Sequence, residues 1–98
     1  MTLNTKLLKN IIGSKDYSYS QSVNANGEGS FVFSNINIAG YDTLGFAFID
    51  TDNNIDLMKS SLYQGNAYVR LKNTTNSNKT VSCTIRVLYL KKGIMNSL

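Results

Sequence analysis

One pattern restricts this chain more than any other: apolar residues at every second position over two long stretches. In AYVRLK (67–72), Ala67, Val69 and Leu71 alternate with Tyr68, Arg70 and Lys72; in VSCTIRV (81–87), Val81, Cys83, Ile85 and Val87 alternate with Ser82, Thr84 and Arg86. Successive side chains of a strand leave on opposite faces, so both stretches are predicted strands with one buried and one solvated side. The polar run between them reads as a turn, which makes 67–91 a predicted hairpin. Ala67, Val69 and Leu71 should then sit across from odd-numbered partners, because a slip of one residue would bury Arg70 and Lys72 at a cost of several kcal/mol. The alternation changes character at its end. Leu88 and Leu90 occupy positions of the polar face.

Upstream the same period recurs between turn signals, with no proline to interrupt it. KDYSYSQSV sets Tyr17, Tyr19, Gln21 and Val23 against Asp16, Ser18, Ser20 and Ser22, and NANGEG then turns the chain. SFVFSNINI carries Phe31 and Phe33 on one face, with alternation resuming through Ile36 and Ile38 after an irregularity. Gly40 breaks that strand, and Leu44, Phe46 and Phe48 are expected core in the next. TDNN turns again into a weaker strand, IDLMKSSLYQ, and Gly65 with Asn66 leads into the final pair. About six short strands with frequent turns predict an all-β chain, a single antiparallel β-sandwich of jelly-roll-like or Greek-key type, or a small barrel.

The first residues differ. Leu3, Leu7 and Ile11 recur every four residues with Leu8 and Ile12 beside them, and Gly13 follows where a helix would stop. A short amphipathic helix or docking arm fits this spacing, and so does a frayed terminus or an extra edge strand. As a helix it would need a surface to lie against, since helices below about 12 residues are marginal alone. The expected organisation is an arm or helix over 1–14, a β-sandwich over 15–92 and a tail over 93–98.

Ninety-eight residues suffice for one domain with a thin core. No stretch reaches the roughly 18 to 20 apolar residues that span a bilayer, and the start lacks the unbroken apolar run of a secretion signal, so neither membrane insertion nor export is expected. The net charge of +4 comes from scattered residues. Without a dense basic stripe interleaved with aromatics, nucleic acid is not the expected partner. Cys83 cannot form an internal disulfide and reads as a small buried hydrophobe, with a reactive thiol as the alternative. The chain contains no histidine, which removes Ser-His and Cys-His nucleophile pairs and His-containing zinc sites. GEG at 27–29 lacks the lysine and spacing of a phosphate loop. In DTDNNID, Asp50, Asp52, Asn54 and Asp56 alternate as in a calcium loop. Ile55 and Ser61, however, stand where such loops need glycine and glutamate, and a polar turn is expected. No enzyme activity, metal or cofactor is predicted.

The stretch SVNANGEGSFVFSN, then GYDTLGFAFID and GNAYVRLKNTTNSNKTVSCTIRVLYLKKG, resembles the small β-sandwich modules of tail, fibre and baseplate proteins of phages and prophages of Gram-positive bacteria. The residues that carry the likeness are Gly40, Tyr41, Leu44, Gly45, Ala67, Arg70, Asn73, Leu88 and Tyr89. The resemblance implies a non-enzymatic virion component, a tail, fibre, baseplate or capsid accessory protein, located in the virion after synthesis in the host cytoplasm. The short arm at Met1, in place of a long shaft, suggests a separately encoded piece of the particle. Apolar side chains at both ends, Leu3, Leu7, Ile11, Leu88, Leu90 and Ile94, form the expected assembly interface. Its partners would be copies of the chain in a homo-oligomer such as a trimer, and other virion proteins; alternatively the arm covers the last strand within one chain. The alternative function is host recognition by a carbohydrate- or receptor-binding module, with Tyr68, Arg70, Lys72 and Arg86 facing cell-wall glycan.

Overall fold

The structure is a computed structural model that describes residues 12–93. Six strands appear: β1 (Ile12–Val23), β2 (Glu28–Phe33), β3 (Tyr41–Thr51), β4 (Ile55–Tyr63), β5 (Asn66–Asn73) and β6 (Lys79–Lys91). They form two antiparallel sheets of three, in the orders β1-β6-β3 and β2-β5-β4. The all-β expectation is met, and the strands are those the alternation marks. Leu3, Leu7, Ile11 and Ile94 lie outside the described residues, as do most of the expected arm and the tail. At the boundary the structure departs from expectation, because Ile12 and Gly13 already belong to β1, opposite Leu90 and Tyr89.

The expected 67–91 hairpin does not exist. β5 pairs with β2 and β4, whereas β6 pairs with β1 and β3. The parity nonetheless holds: Ala67, Val69, Leu71, Val81, Cys83, Ile85 and Val87 all lie in one buried cluster with Phe31, Phe33 and Ile36. A strand apolar on one side can hide that side beside a neighbour in its own sheet or beneath a facing sheet, and periodicity is the same for both. Turn chemistry selects the second arrangement here. Asn26 donates its backbone N–H to the Thr75 carbonyl, and Ala25 donates to the Asn78 side chain. The β5–β6 connection is thereby tied to the β1–β2 turn.

Only β4 and β5 are joined by a tight turn within one sheet. Gln64 and Gly65 both have positive φ (49° and 76°), the backbone of a two-residue hairpin turn, so Asn66 opens β5 instead of completing the turn. The positive φ favours glycine at 65, and a Cβ there would lie 2.6 Å from the Asn37 amide nitrogen, so that side chain would have to move aside. After β2, Asn35 reverses the chain at φ 57°, and the Ile36 N–H donates to the Gly65 carbonyl. Ile36 therefore enters the core from a loop.

Leu44 is the main correction to the expected core. β3 carries irregularities between Thr43 and Gly45 and between Phe48 and Asp50, which place Leu44 and Ile49 outside the ladder. Phe46 and Phe48 pack against the core as half-buried side chains, but Leu44 is 53% exposed.

Candidate functional site

On β6 the outward side chains run from Ser82 to Leu90, and their neighbours explain why the apolar end stays open. Ser20 meets Ser82 at 3.0 Å and Ser18 meets Thr84 at 2.8 Å, two hydroxyl pairs that stitch β1 to β6. Next, Arg86 donates through Nε and an Nη to both oxygens of Asp16, at 2.8 and 3.1 Å. This fork holds the Asp16 carboxyl below the usual carboxylate range, first through the hydrogen bond and then through the guanidinium charge. Beyond it the row reads Ser14, Leu88, Gly45, then Ile12, Leu90, Asp42. Short flanking groups leave Leu88 41% exposed, whereas Leu90 is half-buried. The predicted apolar turn of this face is therefore present within the described residues.

A larger apolar surface, invisible to periodicity, lies along β3 and β4. Leu57 stands opposite Leu71 and Leu62 opposite Ala67. Directly paired residues share a face, so both leucines belong to the inner face of the β2-β5-β4 sheet. Leu71 and Ala67 are fully buried, yet Leu57 is 46% and Leu62 is 40% exposed. Leu44, Ile49 and Met58, each at a ladder irregularity of the edge strands β3 and β4, are exposed as well. The opposite side, along β1 and β2, is bridged by side chains, although Tyr19 is itself 45% exposed. There Tyr19 sets its ring edge-on against Phe31 and Phe33, with centroids at 5.8 and 6.4 Å, and Gln21 donates to the Ser30 carbonyl.

The predicted ligand face is divided by the topology. Tyr68, Arg70 and Lys72 lie together on the outer face of β5, but Arg86 lies on the outer face of the other sheet and is bound to Asp16. Grouping it with Tyr68 required the hairpin that does not form. What joins Arg70 instead is Lys59 on one side and Ser30 on the other, both directly across from it. Only the strand pairing brings them together.

The acidic turn serves the backbone. Asp52 accepts a hydrogen bond from the Ser82 N–H at 2.9 Å, where the β3 ladder has ended, and the Asn54 carbonyl accepts from Thr74 N–H and Oγ1. Among the described residues no three Cys, Asp or Glu side chains are arranged to share a metal ion. Nor, among them, is any helix long and apolar enough to cross a membrane.

Cys83 is fully buried on the inner face of β6, and desolvation pushes its thiol from 9.0 up to about 11. A thiol reagent should therefore leave the native protein unlabelled near neutral pH and label it fully in denaturant; rapid native labelling would place the sulfur at the surface. The same shift sets an alkaline limit. Below pH 9 the thiol is neutral in both states; above it only the unfolded chain ionises until about pH 11, removing roughly 1.4 kcal/mol of stability per unit in that window. Tyr89 adds to the decline from about pH 10, where the phenol of the unfolded chain begins to ionise while the folded one does not. Burial, followed by its hydrogen bond with Tyr17, raises its pKa, while it donates to the Ile36 carbonyl. Urea midpoints across this pH range test the slope, which Cys83→Ala should flatten.

No family model matches the chain, and no curated protein or solved structure matches it.

Proposed function

We propose that this chain is a non-enzymatic structural component of a phage-like particle whose work is assembly: a jelly-roll-like sandwich completed by packing its β3–β4 side against a second copy. The carrying observation is the half-exposure of Leu57 and Leu62, inner-face residues whose cross-strand partners are fully buried. A full jelly roll has eight strands in two sheets, and among the described residues each sheet has three, ending at β3 and β4. The apolar residues uncovered on this side are those that further strands would hide. A second copy presents the same leucines, so a two-fold contact is self-complementary; Leu88 on the neighbouring face supplies a second contact for closed rings or for other particle proteins. Likeness of the sequence to phage tail and fibre modules supports the particle, and the geometry supports the assembly.

Magnitudes favour a reversible contact. Full burial of a Leu, Ile or Met side chain gains about 1.5–3 kcal/mol, so five that are roughly half exposed contribute about 4–7 kcal/mol per copy, or about 8–14 kcal/mol for a pair. Association costs about 4–15 kcal/mol in lost freedom, which consumes most of this. Self-association should therefore depend steeply on concentration. In sedimentation velocity the native chain should move from monomer to oligomer as its concentration rises. Leu57→Asp with Leu62→Asp should remain monomeric with an unchanged far-UV spectrum. A native chain that stays monomeric at millimolar concentration defeats the self-assembly reading, and so does a double variant that associates as the native chain does.

A further inference from the structure

The outer face of the β2-β5-β4 sheet is charge-matched in one row and mismatched in the next. Across the three strands the first row reads Glu28, Lys72, Asp56, a cation between two acids. The next reads Ser30, Arg70, Lys59, which sets two cations directly opposite one another with a hydroxyl as the third member. Like charges in directly opposed positions are destabilising. Among the described residues the one ion pair is Asp16 with Arg86, so neither Arg70 nor Lys59 is neutralised by a carboxylate contact. The row after that is Val32, Tyr68, Ser61. Ser30, Lys59, Ser61, Tyr68 and Arg70 together line a shallow hollow of about 230 Å³.

We infer that this hollow is a binding site for one oxyanionic ester group, phosphate or sulfate, carried on a carbohydrate unit whose ring lies on Tyr68. Arg70 supplies the planar fork that fits such oxygens in pairs, and Lys59 a compact second charge. Ser30 and Ser61 supply hydroxyls able to donate or accept beside the ester. Tyr68 is half-buried, and its hydroxyl accepts from the Asn66 amide at 3.4 Å, while Asn66 in turn accepts from the Asn35 N–H. The ring is thereby braced along the strand as a platform one row away from the cations. Glu28 and Asp56 bound the site on its other side. An extended polyanion running along β5 would meet those two carboxylates, which favours a ligand with a single charged ester and a neutral, ring-shaped remainder over a nucleic-acid backbone. The site lies on an outer sheet face and does not depend on the assembly reading.

The test is amide chemical-shift titration of the labelled full chain with glucose monophosphate, glucose monosulfate, glucose and inorganic phosphate, and with a thymidine oligonucleotide. The sugar esters should shift the amides of Lys59, Tyr68 and Arg70 at millimolar concentration, with phosphate alone weaker and confined to the Lys59–Arg70 row. Comparison of the two esters identifies which oxyanion is preferred. Lys59→Gln with Arg70→Gln should weaken ester binding about tenfold or more, the value of one charge-assisted hydrogen bond, while leaving the spectrum dispersed. Tyr68→Ala should remove the advantage of the sugar esters over inorganic phosphate. The inference is overturned by the absence of localised shifts, by equal binding in the double Gln variant, or by tighter binding of the oligonucleotide than of either sugar ester.

Discussion

Asn73→Ala should destabilise the fold by about 3 kcal/mol, because it removes the five hydrogen bonds of a fully buried side chain, each contributing about 0.5–1.5 kcal/mol net. Asn73 is the one fully buried polar side chain among the described residues. Its amide nitrogen donates toward the carbonyls of Val23 (3.2 Å), Asn24 (3.3 Å) and Ser77 (2.9 Å), so two N–H groups serve three acceptors. Its carbonyl oxygen accepts from the Thr75 N–H at 3.0 Å and from Thr75 Oγ1 at 2.7 Å. One side chain thus joins the end of β1, the β1–β2 turn and the β5–β6 connection. Those are the segments that direct β6 into the opposite sheet. Asn73→Asp should be at least as damaging, since a carboxylate oxygen would then face carbonyl oxygens with no proton between them. Urea unfolding read by circular dichroism measures the effect. A loss below about 1 kcal/mol would mean that water replaces these bonds and that the turn does not depend on Asn73.

The second large effect separates two residues that alternation treats alike. Phe31→Ala should cost about 3–5 kcal/mol, the range for deleting a buried aromatic ring and leaving its cavity. Phe31 is fully buried and takes the edge of Tyr19 at 5.8 Å, so its loss also loosens the bridged β1–β2 side. Leu44→Ala, in a residue that is 53% exposed at a bulge, should cost well under 1 kcal/mol in the monomer. If the β3–β4 side joins two copies, the same substitution should weaken association far more than folding. Denaturant midpoints in dilute solution compare the two; comparable losses for both variants would show that Leu44 is core after all.

Much of the strand content could be read in advance, for a simple reason. Where one face is solvated and the other buried, the side-chain period of two is written directly into residue type, as in Phe31 and Phe33, Val69 and Leu71, or Cys83 and Ile85. The outward turn of Leu88 was legible on the same basis. Leu44, Ile49 and Met58 were not, because a bulge shifts parity by one residue with no local signature in these stretches. Leu57 and Leu62, five residues apart, have opposite parity along the chain and reach the same inner face only through the irregularity at Met58; their exposure comes from the absence of a further strand beside β4 among the described residues. Lys59 joined the candidate anion site only through its cross-strand position opposite Arg70, a relation that no spacing along the chain contains.

By itself the sequence determined which side of β1, β2, β5 and β6 turns inward, that the fold is antiparallel and all-β, and that Cys83 is buried; it did not determine the length of the strands, which reach 12, 11 and 13 residues in β1, β3 and β6. The tertiary structure alone decided which strands are neighbours: β6 between β1 and β3, β5 between β2 and β4, with Arg86 and Arg70 on opposite outer faces. The physical reason is that burial is a property of one residue and its periodicity, whereas pairing is a property of the whole packed set. Strands with equal alternation can lie side by side or face to face at similar hydrophobic gain. The choice falls to turn hydrogen bonds such as those of Asn73 and to the residues that bridge one side of the sandwich and leave the other open.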